Sequence, residues 1–509
     1  MRLGKAAALA AIVIGIFASM IAFGYFYPYW RKVDQDIVLA YQGLLFNDGA
    51  AQSYFDHTGY IYYLLIGSWY GALHMLGALP AAALSAMPTP NETEAFTAAW
   101  TDLIRAGRVF SALFAGLFVL GFAAFIRAFL RDGRIALIAA FALATSGSLM
   151  MHARIMRTEM LAAFFTAAVL ALTLLAARDL HRSRQALMLA VAGLCAVLAI
   201  ETKVQALIPL MAIPPLALFF GFRKPEGAHD GWGLPVAMVA AAAFSAPAAA
   251  GVIWRGFEQK AMQYAPLGPL PDGFYQTLIL LWPLFWVGVF TLIWRRSLAE
   301  AAVAAIALTL GASIGVLALL LRFHPQNVGA LTHPIEHMLL FAAGAPGAPG
   351  QTPPNVFAAL LGAIYNGVGA HTFVLHPNAR PTLIAEWFAI GAAVVAWRRG
   401  ARGPALQAGL LIGAAWAIDS AFSLRGIKDA YLIFSDPFLL TAAALMLAQF
   451  PDLFASKVAH RWAAGLAALV LLWSHVEPIK LAFSKRGPEQ SCEWMPAYVP
   501  GITFPYCPS

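Results

Sequence analysis

Apolar residues along this chain gather in long unbroken runs. They lie near 6–28, 107–130, 134–151, 158–177, 186–202, 204–221, 234–254, 275–294, 298–321, 382–397, 405–422, 436–449 and 460–476. Most approach the roughly 20 residues that a helix needs to cross the hydrocarbon core of a bilayer. Lipid offers no partner to an open strand edge, so the thirteen runs are predicted as helices. None alternates as a barrel strand would. The predicted fold is an all-α polytopic membrane protein, a single domain over 1–509. The breaks between runs differ in length. Those on one side are short, whereas 29–106, 255–274, 322–381, 423–435 and the tail 477–509 are long. Inside the first long loop, 36–48 reads as a short amphipathic helix. Its Ile37, Val38, Tyr41, Leu44 and Leu45 recur at helical spacing and are expected to face the membrane surface. The stretch 59–79 is apolar enough to span. Counting it as a span turns every later loop charge to the wrong side, so it is read as interfacial or re-entrant. The Ala-Gly-Pro stretch 342–350 reads as a linker.

Composition supports this class: 61% of residues are hydrophobic and 11% charged, against roughly 25% charged in soluble domains. The net charge of +8 is not a nucleic-acid signature. Lys and Arg concentrate in the short breaks 127–134, 178–184, 223–224, 295–296, 398–402 and 457–461, which places those breaks in the cytoplasm. The start, Met1-Arg2-Leu3-Gly4-Lys5, resembles a signal n-region, but the run after it is too long for an h-region and no clean cleavage site follows. It is read as a retained first span with a cytoplasmic N-terminus. An odd number of spans then puts 477–509 outside. Cys492 and Cys507 lie there and are expected to form a disulfide in an oxidising compartment, while Cys195 sits inert in an apolar run. The expected location is the inner (plasma) membrane of a bacterium.

Four polar clusters interrupt this apolar pattern. Asp34 and Asp36 follow the first span. Each suits a polar cap at a helix start or a general base for an acceptor hydroxyl. Residues two apart on a helix diverge, so one acts and the other supports; the residues themselves leave the choice open. The second cluster is His152, Arg154, Arg157 and Glu159, in a break too short for a soluble domain. Ionisable groups near the membrane serve a site or pair with one another; the bland alternative is snorkelling arginines. The third is Glu201-Thr202-Lys203, where a lysine can hold a phosphate as a point charge. The fourth runs from Arg425 through Lys428 and Tyr431 to Pro437 on the external side, against the charge rule, which calls for an anionic partner.

In order, these segments resemble the GT-C superfamily of integral membrane glycosyltransferases, including protein O-mannosyltransferases and the lipid A aminoarabinose transferase. The resemblance rests on Asp34 and Asp36 after the first span, the Asp56-His57-Thr58-Gly59-Tyr60 turn before Tyr62-Tyr63-Leu64, and Arg108-Val109-Phe110-Ser111 at the next span. It continues through Arg154 and Glu159, a Gly-containing span closing in Thr202-Lys203, and the late Arg425, Tyr431, Pro437 series. Glu159 stands where the mannosyltransferases carry Asp. The resemblance implies sugar transfer from a polyprenyl-phosphate donor to a lipid, glycan or protein acceptor on the external face, with inversion. It implies Asp34, Asp36 and Glu159 as catalytic acids, and Lys203, Arg425, Lys428, Arg154 and Arg157 around the donor phosphate. His57, Tyr60, His152 and Tyr431 would contact substrate. No cofactor is required and no metal ligands are assigned, although a divalent cation is allowed for. The expected protein is a monomer among membrane lipids with no nucleic-acid partner.

Two rival readings exist. His333-Pro334-Ile335-Glu336-His337 fits the H-x-x-E-H pattern of zinc hydrolases. Pro334 belongs only at a helix start and no third ligand is evident, so these histidines, with His324, are read as lining the external face or an acceptor groove. A transporter of a small anionic or sugar-like solute is the other reading, but repeated halves with matching broken helices are absent from the sequence.

Overall fold

The computed structural model describes residues 2–53, 59–179, 181–221, 232–258, 274–294, 297–322, 324–334, 356–372, 380–423, 429–454, 457–483, 492 and 495–507. His57, Arg425 and Lys428 lie outside these residues, as do Glu336, His337 and the stretch 342–350. The side chain of Asp34 is likewise not described.

The described residues are helical, with no strand among them. The helices are α1 (Arg2–Met20), α2 (Val38–Asn47), α3 (Tyr60–Met75), α4 (Thr93–Leu130), α5 (Gly133–Ala144), α6 (Gly147–His152), α7 (Thr158–Arg178) and α8 (Arg182–Thr202). They continue as α9 (Leu207–Phe220), α10 (Gly233–Glu258), α11 (Phe274–Ile293), α12 (Leu298–Leu317), α13 (Pro325–Thr332) and α14 (Val356–Ala370). The last are α15 (Thr382–Arg398), α16 (Arg402–Phe422), α17 (Asp436–Leu447), α18 (Lys457–Ser474), α19 (Val476–Phe483) and α20 (Met495–Tyr498). Among the described residues, eight helices are long and apolar enough to cross a membrane, and four more are apolar but shorter.

Three elements depart from the sequence reading. The run 134–151 is two helices, because Ser146 turns extended and its Oγ caps α6 by accepting from Leu149 N at 3.2 Å. Helix α4 begins at Thr93 rather than near 107 and has 38 residues. That is about 57 Å of helix against about 30 Å of hydrocarbon, so the helix is longer than a span needs and its polar first turns lie in the loop that precedes it. Helix α2 does not lay its apolar face on the membrane. Ile37, Val38, Tyr41, Leu44 and Leu45 are all buried inside the protein, in one cluster with Tyr60, Tyr63, Ile66 and Tyr70 of α3 and with Met495 and Val499 of the tail. Enough apolar partners come from within the chain to bury all of α2, so lipid is not needed to cover it.

Small residues set the closest helix contact. A Cβ on Gly311 of α12 would overlap the Ala190 carbonyl of α8, and one on Gly193 would overlap Leu308 O. The tail folds back over the first loop. A disulfide joins Cys492 to Cys507. Phe504 packs edge-on to Phe96 and against Trp100 and Tyr29, and Tyr41 Oη donates to Pro500 O at 2.6 Å.

Candidate active site

The chain leaves α1 through a wide turn over Ile21–Tyr25, with Phe23 off helical geometry, and enters a second wide turn over Val33–Ile37 that carries Asp34 and Asp36. Arg108 of α4 holds these two turns together. Its Nε and Nη2 donate to Asp36 Oδ2 at 3.0 and 2.7 Å. Nη1 donates to the carbonyls of Gly24 (2.9 Å) and Tyr27 (2.7 Å), and Nη2 also to that of Pro28 (3.3 Å). The remaining oxygen, Asp36 Oδ1, accepts from Met156 N at 2.8 Å. Both side chains of the ion pair are fully buried. Burial pushes the Asp36 carboxyl upward, while the Arg108 charge and the Met156 N–H pull it back toward the ionised form. The segment carrying Met156 comes this close because Gly107 has no side chain: a Cβ there would overlap Met156 Sδ. A Cβ on Gly24 would likewise press on Arg154 O.

That segment brings the second cluster. His152 ends α6 fully buried; its Nδ1 bonds Ser148 O at 2.7 Å, and its Nε2 has no partner. Burial, then the nearby Arg157 charge, pushes its pKa down to about 4, so the ring is neutral near pH 7. With Nδ1–H donating to Ser148, Nε2 offers a lone pair. Arg157 donates to Glu159 at 2.9 and 3.2 Å, and Lys203 Nζ lies 3.3 Å from the same carboxylate. Lys203 follows the last residue of α8 in an extended conformation (φ −159°), which turns its side chain out of the helix path. Beside it, both carboxylate oxygens of buried Glu201 and both amide atoms of buried Gln205 lack hydrogen-bond partners. Buried polar atoms are nearly always paired, and these four are not. Tyr62, buried on α3, is within electrostatic reach of both Asp36 and Glu159.

The other sequence-predicted residues fall around this centre. Arg154 turns toward α1, donating to Ser19 Oγ at 2.7 Å and lying 5.6 Å from the Phe23 ring centroid. Tyr60 heads α3, accepts from Arg322 N–H at 3.1 Å and donates to Ala318 O at 3.1 Å, and burial pushes its pKa up to about 12. Tyr431 stacks on Phe422 at 5.1 Å. Among the described residues no three His, Cys, Asp or Glu side chains are grouped to share a metal ion.

No family model and no curated protein matches this sequence. A solved structure does resemble it, the oligosaccharyltransferase of Archaeoglobus fulgidus in its apo form, with a TM-score of 0.50 at 15% identity. The match covers 98% of this chain and 58% of that one, so this chain spans little more than half the length of its relative. The same enzyme in complex with zinc and sulfate matches at a TM-score of 0.48 and 16% identity, over 96% and 55%. The two chains share a fold.

Two further features of this helical bundle were not legible in the sequence. One is an apolar groove of about 550 Å³ between α8, α10, α11 and α12. It runs beside α8 from the Arg182–Glu300 ion pair (3.6 Å) to Ile200, immediately before Glu201. At 1.5 Å per residue that path is about 27 Å long. The other is a polar centre buried between α14, α15, α16 and α17. His371 Nδ1 lies 2.9 Å from Glu386 and Nε2 3.3 Å from Asp419. Arg380 Nη2 lies 3.3 Å from Asp419 and 3.5 Å from Asp436. Ser148 of α6 donates to Asp436 at 2.5 Å, which ties this centre to the helix that ends in His152.

Proposed function

We propose that this chain transfers a sugar from a polyprenyl-phosphate-linked donor to a cell-envelope acceptor on the external face of the membrane, with inversion at the anomeric carbon. One observation carries the reading. Asp36 of 33–37 bonds the backbone of Met156, Lys203 meets Glu159 beside the unpartnered polar atoms of Glu201 and Gln205, and an apolar groove follows α8 as far as Ile200. A lipid tail needs such a groove, and an anionic leaving group needs such cations.

The proposed roles combine the described geometry with the sequence resemblance. The prenyl tail lies in the groove, and its phosphate meets Lys203 and Arg157, which Glu159 orients. Arg425 and Lys428 are assigned to the same phosphate from the sequence resemblance. Asp36 has both oxygens committed, so it shapes the 33–37 turn, and Asp34 is assigned as the base. The acceptor oxygen bonds to the anomeric carbon as its proton passes to the Asp34 carboxylate. The bond from that carbon to the phosphate oxygen breaks, and its electron pair leaves with the phosphate. His152 Nε2 accepts a hydrogen bond from a sugar hydroxyl.

The test is transfer of label from a panel of polyprenyl-phosphate sugars to envelope extract by the purified protein in nanodiscs. Asp34→Asn is expected to reduce transfer by about 10²- to 10⁴-fold with an unchanged melting curve. Retention of full activity by Asp34→Asn sinks the base assignment. Solute flux into liposomes with no covalent transfer would replace this reading with a transporter.

A further inference from the structure

A second cavity, of about 420 Å³, opens between the first external loop and the segment joining α12 to α13. Its lining includes Gln42, Gln52, Tyr60, Arg322, His324 and Asn327. It shares no lining residue with the apolar groove. We propose that this cavity is the acceptor subsite and that it takes a saccharide bearing an anionic group, a carboxylate or phosphate, at Arg322. The inference rests on the glycosyl-transfer reading and names the substrate class of that same site.

Several features of the cavity wall support it. Asn327 is almost wholly buried in the cavity wall, and its Oδ1 has no hydrogen-bond partner, which leaves an acceptor waiting for a hydroxyl. Gln42 is fixed by a reciprocal pair with Ser53, Nε2 to Oγ at 2.7 Å and Oε1 from N–H at 3.0 Å, so the wall is preorganised. The Arg322 guanidinium lies 5.4 Å from the Phe46 ring centroid, an aromatic neighbour rather than an acid. Gly49, at φ +71°, leaves it room: a Cβ there would sit 3.1 Å from Nη1. No Asp or Glu is among the described lining residues. Amides, phenols and one guanidinium suit sugar hydroxyls and a single anion. The cavity also reaches the start of α3. Tyr60 lines it at the start of α3 and is within electrostatic reach of Glu201, and Tyr62, two residues on, reaches Asp36 and Glu159. The cavity wall is rich in amides and hydroxyls, unlike the apolar groove, which favours the acceptor over the donor.

The experiment is calorimetric titration of the full-length protein in nanodiscs of neutral lipid, with no donor present. The probes are a glucuronic-acid disaccharide, its carboxyl-reduced neutral counterpart, glucose 6-phosphate and inorganic phosphate. The charged sugars are expected to bind about tenfold or more tightly than the neutral one, as a charge-assisted contact implies. Arg322→Gln should abolish that preference, Arg322→Lys should keep part of it, and Asn327→Asp should reverse it. Equal affinity for charged and neutral sugars overturns the proposal, as does a preference that survives Arg322→Gln. Displacement of the charged disaccharide by sugar-free polyprenyl phosphate assigns the anion site to the donor and also overturns it. Inorganic phosphate binding as tightly as glucose 6-phosphate means that no saccharide is recognised, and overturns it too. Because no turnover is read, failure here leaves the glycosyl-transfer reading standing. Conversely, loss of that reading leaves a measured saccharide preference intact.

Discussion

Arg108 shows how much one side chain can organise when it is buried with every donor used. It bonds Asp36 and three carbonyls of the 24–28 turn, so it fixes where the first span ends and where the acidic turn begins. Removing one partner of a buried pair strands the other charge, which costs about 3–5 kcal/mol. Arg108→Ala is therefore expected to lower the melting temperature strongly. Arg108→Lys should rescue little, since an ammonium lacks the planar fork; a thermal melt in detergent checks both. His152 makes a pH prediction. Its pKa falls from the ordinary 6.5 to about 4 on folding, so the unfolded chain binds the proton more readily. The stability from keeping it neutral is present above about pH 6.5 and is lost as pH falls toward 4, up to about 3 kcal/mol. His152→Asn should flatten the melting temperature over that range, and an equal slope in variant and parent counts against the assignment. The clusters at 34–36, 152–159 and 201–203 were visible in the sequence because each interrupts an apolar run. Their partners were not, since 72 positions separate Arg108 from Asp36 and nothing local links them.

At the scale of elements, hydrophobic runs located most helices but not their joints. The split at Ser146 depends on a cap rather than on hydropathy. The first turns of α4 carry Glu94, Asp102 and Arg105, polar enough to hide the helix from an apolar scan. Helix α14 lay within what read as an external segment. Glu386 and Asp419 stood in plain view inside apolar runs. Such residues are expected to find partners, yet only the packing of α15 on α16 and α17 shows that they share His371 and Arg380. Helix contact also makes a prediction. Gly311 lies so close to the Ala190 carbonyl that Gly311→Leu must force α12 off α8. Overpacking of this kind costs about 1–3 kcal/mol, and displacement of α12 would distort the groove it lines. The variant is expected to melt lower and to bind polyprenyl phosphate more weakly.

For the whole molecule, the proposed function assigns the lipid to the groove along α8 and the sugar to the charged cluster around Glu159. Ala304→Trp, placed in the groove wall, should raise the donor concentration needed for half-maximal transfer while leaving the acceptor requirement unchanged. An unchanged donor requirement would separate the groove from the reaction. The Cys492–Cys507 bridge closes a 15-residue separation, for which chain entropy gives about 3 kcal/mol. The double Ser variant is expected to lose about that much stability, read by chemical denaturation.

The packing of Phe504 among Tyr29, Phe96 and Trp100 also imposes an order on biogenesis. The loop that carries Asp34 and Asp36 emerges early in synthesis, yet part of its support is encoded more than 450 residues later. At about 5–20 residues per second, the nascent chain must hold that loop half-built for roughly 25–90 seconds before its final brace is synthesised and oxidised. Until then the fold is incomplete.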